Sequence, residues 1–111
     1  LTAAQLAKAP QLTLGSTSLD FGNIKPNTAT EMQLQIVNSG KSELLLKAIQ
    51  PNCTCITASA SKDKLQPGES GTVTISFNPS DRTGSQNKAV TVYSNDPRNP
   101  VQRVTFTAYV Q

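Results

Sequence analysis

Apolar and polar residues alternate along most of this chain with a period of two. The alternation starts after residue 10 and recurs in short runs, whose apolar members are Leu12/Leu14, Leu19/Phe21, Met32/Leu34/Ile36, Leu44/Leu46/Ala48, Val73/Ile75/Phe77, Val90/Val92 and Val104/Phe106/Ala108/Val110. Successive side chains of a strand point to opposite faces, so each run predicts a strand that buries one face.

Turn-forming residues separate these runs. Clusters of Pro, Gly, Asn and Asp fall at 25–27, 38–41, 66–69, 79–84 and 95–100. Six to eight short strands with no amphipathic helix among them predict two antiparallel sheets packed face to face. A length of 111 residues fits one such domain.

The first ten residues have a different pattern. Thr2 and Gln5 have the spacing of a helix capping box, and Pro10 would end any helix that starts there. We predict that residues 1–10 are a short helical or irregular linker, or the tail of an upstream domain, and that residues 11–111 form the sandwich.

Composition excludes several classes of function. The chain has no His, so the commonest general base and the usual nitrogen ligand for Zn or Cu are missing, and we predict no enzyme and no cofactor. The net charge is +3, but the basic residues are scattered among acidic ones rather than gathered in a patch, which argues against nucleic-acid binding. The sequence contains no run of 18 apolar residues, so it predicts no transmembrane segment.

Cys53 and Cys55 are the only residues whose type and spacing suggest a reactive or metal-binding site. In an extended strand their Cα atoms would lie about 7 Å apart, at the outer limit for a disulfide. Three interpretations stay open: buried thiols or a bent local disulfide, a two-thiolate Cu(I) or Zn site, and redox exchange.

Five residues at the polar positions of the alternating pattern in the last two strands define a candidate interaction face. They are Thr91, Tyr93, Thr105, Thr107 and Tyr109. Such an uncharged face suits contact with a protein or a glycan, and it equally suits ordinary cross-strand pairing. The loop carboxylates Asp63, Glu69, Asp81 and Asp96 lack the spacing of a calcium loop, and we interpret them as solvated turn residues.

Several motifs occur together in a specific order. They are Leu19-Asp20-Phe21-Gly22, Val37-Asn38-Ser39-Gly40, Pro51-Asn52-Cys53-Thr54-Cys55, Leu65-Gln66-Pro67-Gly68-Glu69 and Ser94-Asn95-Asp96-Pro97. Over about residues 12–110 the chain resembles a Bacteroidetes-type bacterial family of Ig-like domains of unknown function that carries a Cys-x-Cys motif. One departure is that the family usually has Ser-Cys-Gly-Cys-Thr, whereas this chain has Asn52-Cys53-Thr54-Cys55-Ile56.

The resemblance implies a seven-stranded Ig-like sandwich related to abnormal-spindle/hydin (ASH) and major-sperm-protein (MSP) domains. It also implies an exported protein that is periplasmic, anchored in the outer membrane or on the cell surface. It brings no established activity.

We therefore predict a non-catalytic structural or interaction module of the cell envelope, whose partner is another protein, a neighbouring domain or a glycan. One alternative is a metal-binding or redox protein that uses Cys53 and Cys55. A third hypothesis, from fold analogy, is an assembly chaperone that acts by edge-strand addition.

Overall fold

A computed structural model describes residues 2–79 and 82–111, apart from the side chain of Leu6. This part of the chain forms one short helix and nine strands. The helix α1 spans Ala3–Ala7, and the strands are β1 (Leu12–Leu14), β2 (Ser18–Ile24), β3 (Thr30–Asn38), β4 (Leu44–Pro51), β5 (Ile56–Ala60), β6 (Lys64–Leu65), β7 (Ser70–Phe77), β8 (Gly84–Ser94) and β9 (Val101–Val110).

The strands form two sheets that pack face to face. One sheet has the order β1-β3-β7-β5, and the other has the order β2-β9-β8-β4-β6. The predicted Ig-like sandwich is confirmed. Sequence analysis missed β5 and β6, because the inward residues of β5 include the small Ala58 and Ala60, and β6 has only two residues.

The prediction that all pairing is antiparallel is wrong at one place. β2 pairs with β9 in parallel, with Leu19 opposite Phe106 and Ile24 opposite Val110. The chain crosses from one sheet to the other between β1 and β2 without reversing. A bulge follows Asp20 in β2, where Gly22 adopts a φ of 73° that favours glycine.

Both sheets contribute to one hydrophobic core. Phe77 of β7 and Phe106 of β9 are fully or almost fully buried. Phe21 lies between them, with its ring centroid 5.4 Å from that of Phe106 and 6.1 Å from that of Phe77. Because Phe21 contacts an aromatic ring of each sheet, it joins the edge strand β2 to the centre of the sandwich.

Asn38, at the end of β3, is fully buried, and its side chain makes four hydrogen bonds. Its Oδ1 accepts from the backbone N–H groups of Gln11 (3.3 Å) and Gly40 (2.9 Å). Its Nδ2 donates to the carbonyl oxygens of Ser42 (2.7 Å) and Leu65 (2.9 Å). One side chain therefore joins the N-terminal segment, the turn after β3 and the strand β6.

Asp96, in the turn before β9, is 1% exposed. Its carboxylate accepts from the backbone N–H groups of Leu12 (3.0 Å), Arg98 (2.9 Å) and Asn99 (3.3 Å). The interpretation of Asp96 as a solvated turn residue is therefore wrong, whereas Asp81 lies outside the described residues. The reason is that the turn of Asp96 folds over the start of β1, where a backbone donor needs an acceptor.

The N-terminal segment packs against the sandwich. The predicted capping box is present, because the Gln5 side chain accepts from the Thr2 N–H (2.7 Å) and the Thr2 hydroxyl accepts from the Gln5 N–H (3.1 Å). The Lys41 N–H donates to the Ala9 carbonyl (3.0 Å), and a Cβ on Gly40 would overlap that same oxygen. The assignment of residues 1–10 to a linker stays a prediction.

The one helix in the described residues, α1, is too short to cross a bilayer.

The substitution Asn38→Ala is expected to lower the free energy of unfolding by about 2–4 kcal/mol, because it takes the side-chain partner from four backbone groups, among them the carbonyl of the buried Leu65. Urea unfolding at pH 7 measures this change. Asn87→Ala is the matched control, since Asn87 is exposed, and it is expected to change stability by less than about 0.5 kcal/mol. Equal effects of the two substitutions would contradict this account of Asn38.

Candidate functional site

The candidate interaction face lies on the outer surface of the five-stranded sheet. Thr105, Thr107 and Tyr109 alternate along β9 and are exposed, with Tyr109 at 52%. Thr91 and Tyr93 of β8 are only half-buried on the same side. The alternation in the sequence thus identified which residues of these strands face away from the core.

The two tyrosines of this face do not come together. Tyr93 pairs with Val101, whereas Tyr109 pairs with Ser85. The positions of Val101 and Tyr109 are separated by the length of β9, or about 26 Å of strand. The five residues therefore form a strip rather than one aromatic patch.

Two of the threonines in this strip bind their own domain. The Thr105 hydroxyl donates to the Thr17 carbonyl (3.3 Å), and the Thr107 hydroxyl donates to the Asp20 carboxylate (3.3 Å). Both bonds lead to the segment that contains β2. These hydroxyls help to hold the parallel edge strand on β9, which is a structural use of residues predicted to bind a partner.

A shallow groove of about 330 Å³ lies beside Tyr109. It is lined by polar side chains that sequence analysis did not select, including Asn23, Ser85, Gln86 and Asn87. Gly22, at the bulge in β2, also lines this groove.

Cys53 and Cys55 form a disulfide with each other. They lie in the turn between β4 and β5, where the chain bends and brings their Cα atoms to 5.1 Å. Of the interpretations left open by the sequence, this is the bent local disulfide. A thiolate metal site would first require reduction, and the described residues contain no cluster of three or more His, Cys, Asp or Glu that could hold a metal.

The two sulfur atoms have different surroundings. Cys53 Sγ accepts a hydrogen bond from the Cys55 backbone N–H (3.2 Å) and lies 3.7 Å from Nη2 of Arg82. Sequence analysis found no cation near the cysteines, because Arg82 is 29 residues away from Cys53 along the chain. Only the fold brings this guanidinium to the sulfur.

One side of β5 is a free sheet edge. The backbone bonds from Asn78 N–H to the Cys55 carbonyl (2.9 Å) and from Ser61 N–H to the Thr72 carbonyl (2.8 Å) fix which residues face β7. By the alternation of an antiparallel ladder, Thr57 and Ser59 bond to β7, whereas Ala58 and Ala60 direct their N–H and C=O groups outward. The strand carries no charge.

The strand edges on the opposite side of the molecule are less open to pairing with another strand. Its edge strand β2 has a bulge and an exposed carboxylate, Asp20, both of which discourage the addition of another strand. The neighbouring edge strand β1 has only three residues. The remaining edge strand, β6, has only two residues, and one of them is Lys64. Among the described strands, β5 is therefore the edge best suited to pair with another chain.

Lys62, which follows β5 in the chain, forms an ion pair with Glu69. Lys62 Nζ is 2.7 Å from a carboxylate oxygen of Glu69, whose other oxygen accepts from the Gln66 N–H (3.0 Å). These two hydrogen bonds, first that from Lys62, hold the pKa of Glu69 below its usual value. The two charges of this ion pair offset each other.

Comparisons with known proteins agree with this architecture. The profile of a family described as protein of unknown function (DUF1573) matches residues 12–110. A Porphyromonas gingivalis W83 protein of unknown function has 26% identity and a TM-score of 0.85 over 98% of this chain and 49% of its own. The present chain thus spans about half the length of that protein.

More distant structures share the fold alone. The ASH/PapD-like domain 7 of human CEP192 has 15% identity and a TM-score of 0.67, covering 94% of this chain and 87% of its own. The periplasmic chaperone SfaE has 17% identity and a TM-score of 0.59, covering 91% and 57%. No curated protein gives a significant match.

The substitution Lys62→Ala is expected to raise the pKa of Glu69 towards that of an unpaired glutamate, because it removes the main donor to the carboxylate. A lowered folded-state pKa stabilises the fold above the unfolded-state pKa, and this contribution disappears as the pH falls through the folded value. Carboxyl-carbon NMR titration measures the shift. Lys64→Ala is the control, and an equal rise in both variants would contradict the assignment.

Proposed function

We propose that this chain, which belongs to DUF1573, a family of proteins of unknown function, is a non-catalytic Ig-like module. The module binds an extended segment of another protein, or of a neighbouring domain, along the free edge of β5. The observation that supports this most directly is that the N–H and C=O groups of Ala58 and Ala60 face outward on a strand without charges.

An extended segment would satisfy these groups by forming one more strand. Its own N–H and C=O groups would pair with those of Ala58 and Ala60, so that the main chain contributes affinity and the side chains contribute selectivity. Thr57 and Ser59 are exposed on the outer face of β5 and are compatible with many neighbouring side chains. No catalytic group is required for this role.

The inner side of the same edge favours a segment with alternating apolar residues. Ala58 and Ala60 are only partly buried, as are Leu46 and Ile49 of β4, and all four pack against the core. β4 and β5 contact each other across the sandwich. An added strand that directs every second side chain inward would cover these partly exposed atoms and extend the core.

The proposal includes export from the cytoplasm. A disulfide between Cys53 and Cys55 suits an oxidising compartment, such as the bacterial periplasm or the cell surface. The assembly-chaperone hypothesis uses similar edge chemistry, but the likeness to SfaE concerns the fold alone, so that hypothesis stays a prediction.

Fractionation of cells that produce the complete protein tests this placement. We expect recovery in the periplasmic or envelope fraction, with Cys53 and Cys55 bonded to each other when thiols are trapped before lysis. Recovery in the cytoplasm with both thiols reduced would contradict export.

Selection from a displayed library of random dodecapeptides tests the edge. We expect enriched peptides to alternate apolar and polar residues and to bind Ala58→Pro and Ala60→Lys at least about tenfold more weakly than the native domain. Proline at position 58 removes an outward N–H and no bond to β7, so the fold is expected to persist. Calorimetry measures the affinities.

Ser85→Lys supplies the matched control, since it adds the same charge as Ala60→Lys at an exposed site on the other sheet. It is expected to bind the peptides as the native domain does. Thermal unfolding confirms that each variant is folded. Absence of enriched peptides, or equal binding to native and edge variants, would overturn the proposal.

A further inference from the structure

The disulfide between Cys53 and Cys55 is electrically asymmetric. The Cys55 N–H and the Arg82 guanidinium both approach Cys53 Sγ, at 3.2 Å and 3.7 Å. Within the described residues, no hydrogen-bond donor contacts Cys55 Sγ. If the bond between the sulfurs breaks, negative charge is therefore stabilised on Cys53 rather than on Cys55.

We propose that this pair is a thiol–disulfide exchange site, in which the sulfur of Cys55 is attacked and Cys53 leaves as the thiolate. The reductant is a protein or small molecule with two thiols. This activity is separate from strand binding at β5 and does not rest on it. It uses a residue, Arg82, that is 29 residues away from Cys53 along the chain.

The exchange proceeds in two balanced steps. A thiolate of the dithiol attacks Cys55 Sγ, the bond between the two cysteine sulfurs breaks, and its electron pair leaves on Cys53 Sγ. The second thiolate of the reductant then attacks its own partner sulfur in the mixed disulfide and releases Cys55. The reductant is oxidised by two electrons to a disulfide, and the domain is reduced by two electrons to a dithiol.

The protons of this reaction also balance. The two thiols of the reductant lose two protons in total. Cys55 takes up one of them as it is released, and the other passes to solvent while Cys53 remains a thiolate beside Arg82. The positive guanidinium thus compensates the charge that the reaction leaves on the domain.

The site is accessible to a reductant. Both cysteines are half-buried rather than enclosed, and Thr54 between them is exposed. An open depression of about 420 Å³ is lined by Pro51, Asn52, Cys53, Thr54 and Ile56. Cys55 does not line this depression, so a thiolate would reach it through the part of Cys55 that is itself exposed to solvent.

Reduction leaves the fold intact. The disulfide joins residues only two positions apart, so its effect on the entropy of the unfolded chain is small. The turn is also held by backbone bonds, from Ile56 N–H to the Cys53 carbonyl (3.2 Å) and from Asn78 N–H to the Cys55 carbonyl (2.9 Å). The pair can consequently pass between oxidised and reduced forms within a folded domain.

Redox titration of the purified domain tests the proposal. The domain is equilibrated in buffers of reduced and oxidised glutathione, thiols are trapped by alkylation, and the reduced fraction is measured by mass spectrometry. Arg82→Gln is expected to shift the equilibrium about tenfold towards the disulfide and to slow reduction by dithiothreitol, because the leaving thiolate loses its cation. Circular dichroism is expected to show the same fold before and after reduction.

Arg103→Gln is the matched control, since it removes the same charge from the exposed face of β9. It is expected to change the equilibrium less than twofold. Equal behaviour of the two arginine variants, resistance of the native disulfide to the glutathione buffers, or unfolding on reduction would overturn the proposal.

The attacked sulfur can be identified directly. The native domain is mixed briefly with reduced glutathione, quenched with acid and mapped by peptide mass spectrometry. We expect glutathione on Cys55, and in the dithiol form we expect faster alkylation of Cys53 than of Cys55 at pH 6. Glutathione found mainly on Cys53 would overturn the assignment of roles.

Discussion

Two buried polar side chains, Asn38 and Asp96, hold the beginning of the chain on the sandwich. Asp96 accepts the Leu12 N–H (3.0 Å), and the Gln102 side chain donates to the Leu12 carbonyl (3.0 Å). Asn38 accepts the Gln11 N–H one residue earlier. Once β1 is fixed in this way on one sheet, the following residues can cross to the other sheet and form β2. Both sheets therefore depend on hydrogen bonds made in two turns, where a buried group without a partner would destabilise the fold.

Local patterns in the sequence predicted local structure well. Alternating apolar residues identified most strands, and Thr2 with Gln5 identified the helix cap. The parallel pairing of β2 with β9, the burial of Asp96 and the approach of Arg82 to Cys53 all depend on contacts between distant parts of the chain. No residue near these positions signals them. β5 was missed for a different reason, since Ala58 and Ala60 give a weaker alternation than branched aliphatic residues do.

The two functional proposals meet at one place in the molecule. The turn that carries the disulfide leads directly into β5, and Ile56 both lines the depression beside the sulfurs and begins the free edge. Natural sheet edges are usually blocked by charge, proline or a bulge, as β2 is by its bulge and Asp20. β5 has none of these, and its short length and the polar side chains of Thr57 and Ser59 limit unspecific association.

The parallel pairing of β2 with β9 has a mechanical consequence. β2 begins opposite Thr105, in the middle of β9, and runs in the same direction as β9 to its far end, where the Gln111 N–H donates to the Ile24 carbonyl (3.0 Å). Tension applied through the two ends of the domain would slide these neighbouring strands past each other. Their hydrogen bonds would then carry the load together instead of opening one after another, a geometry that resists extension.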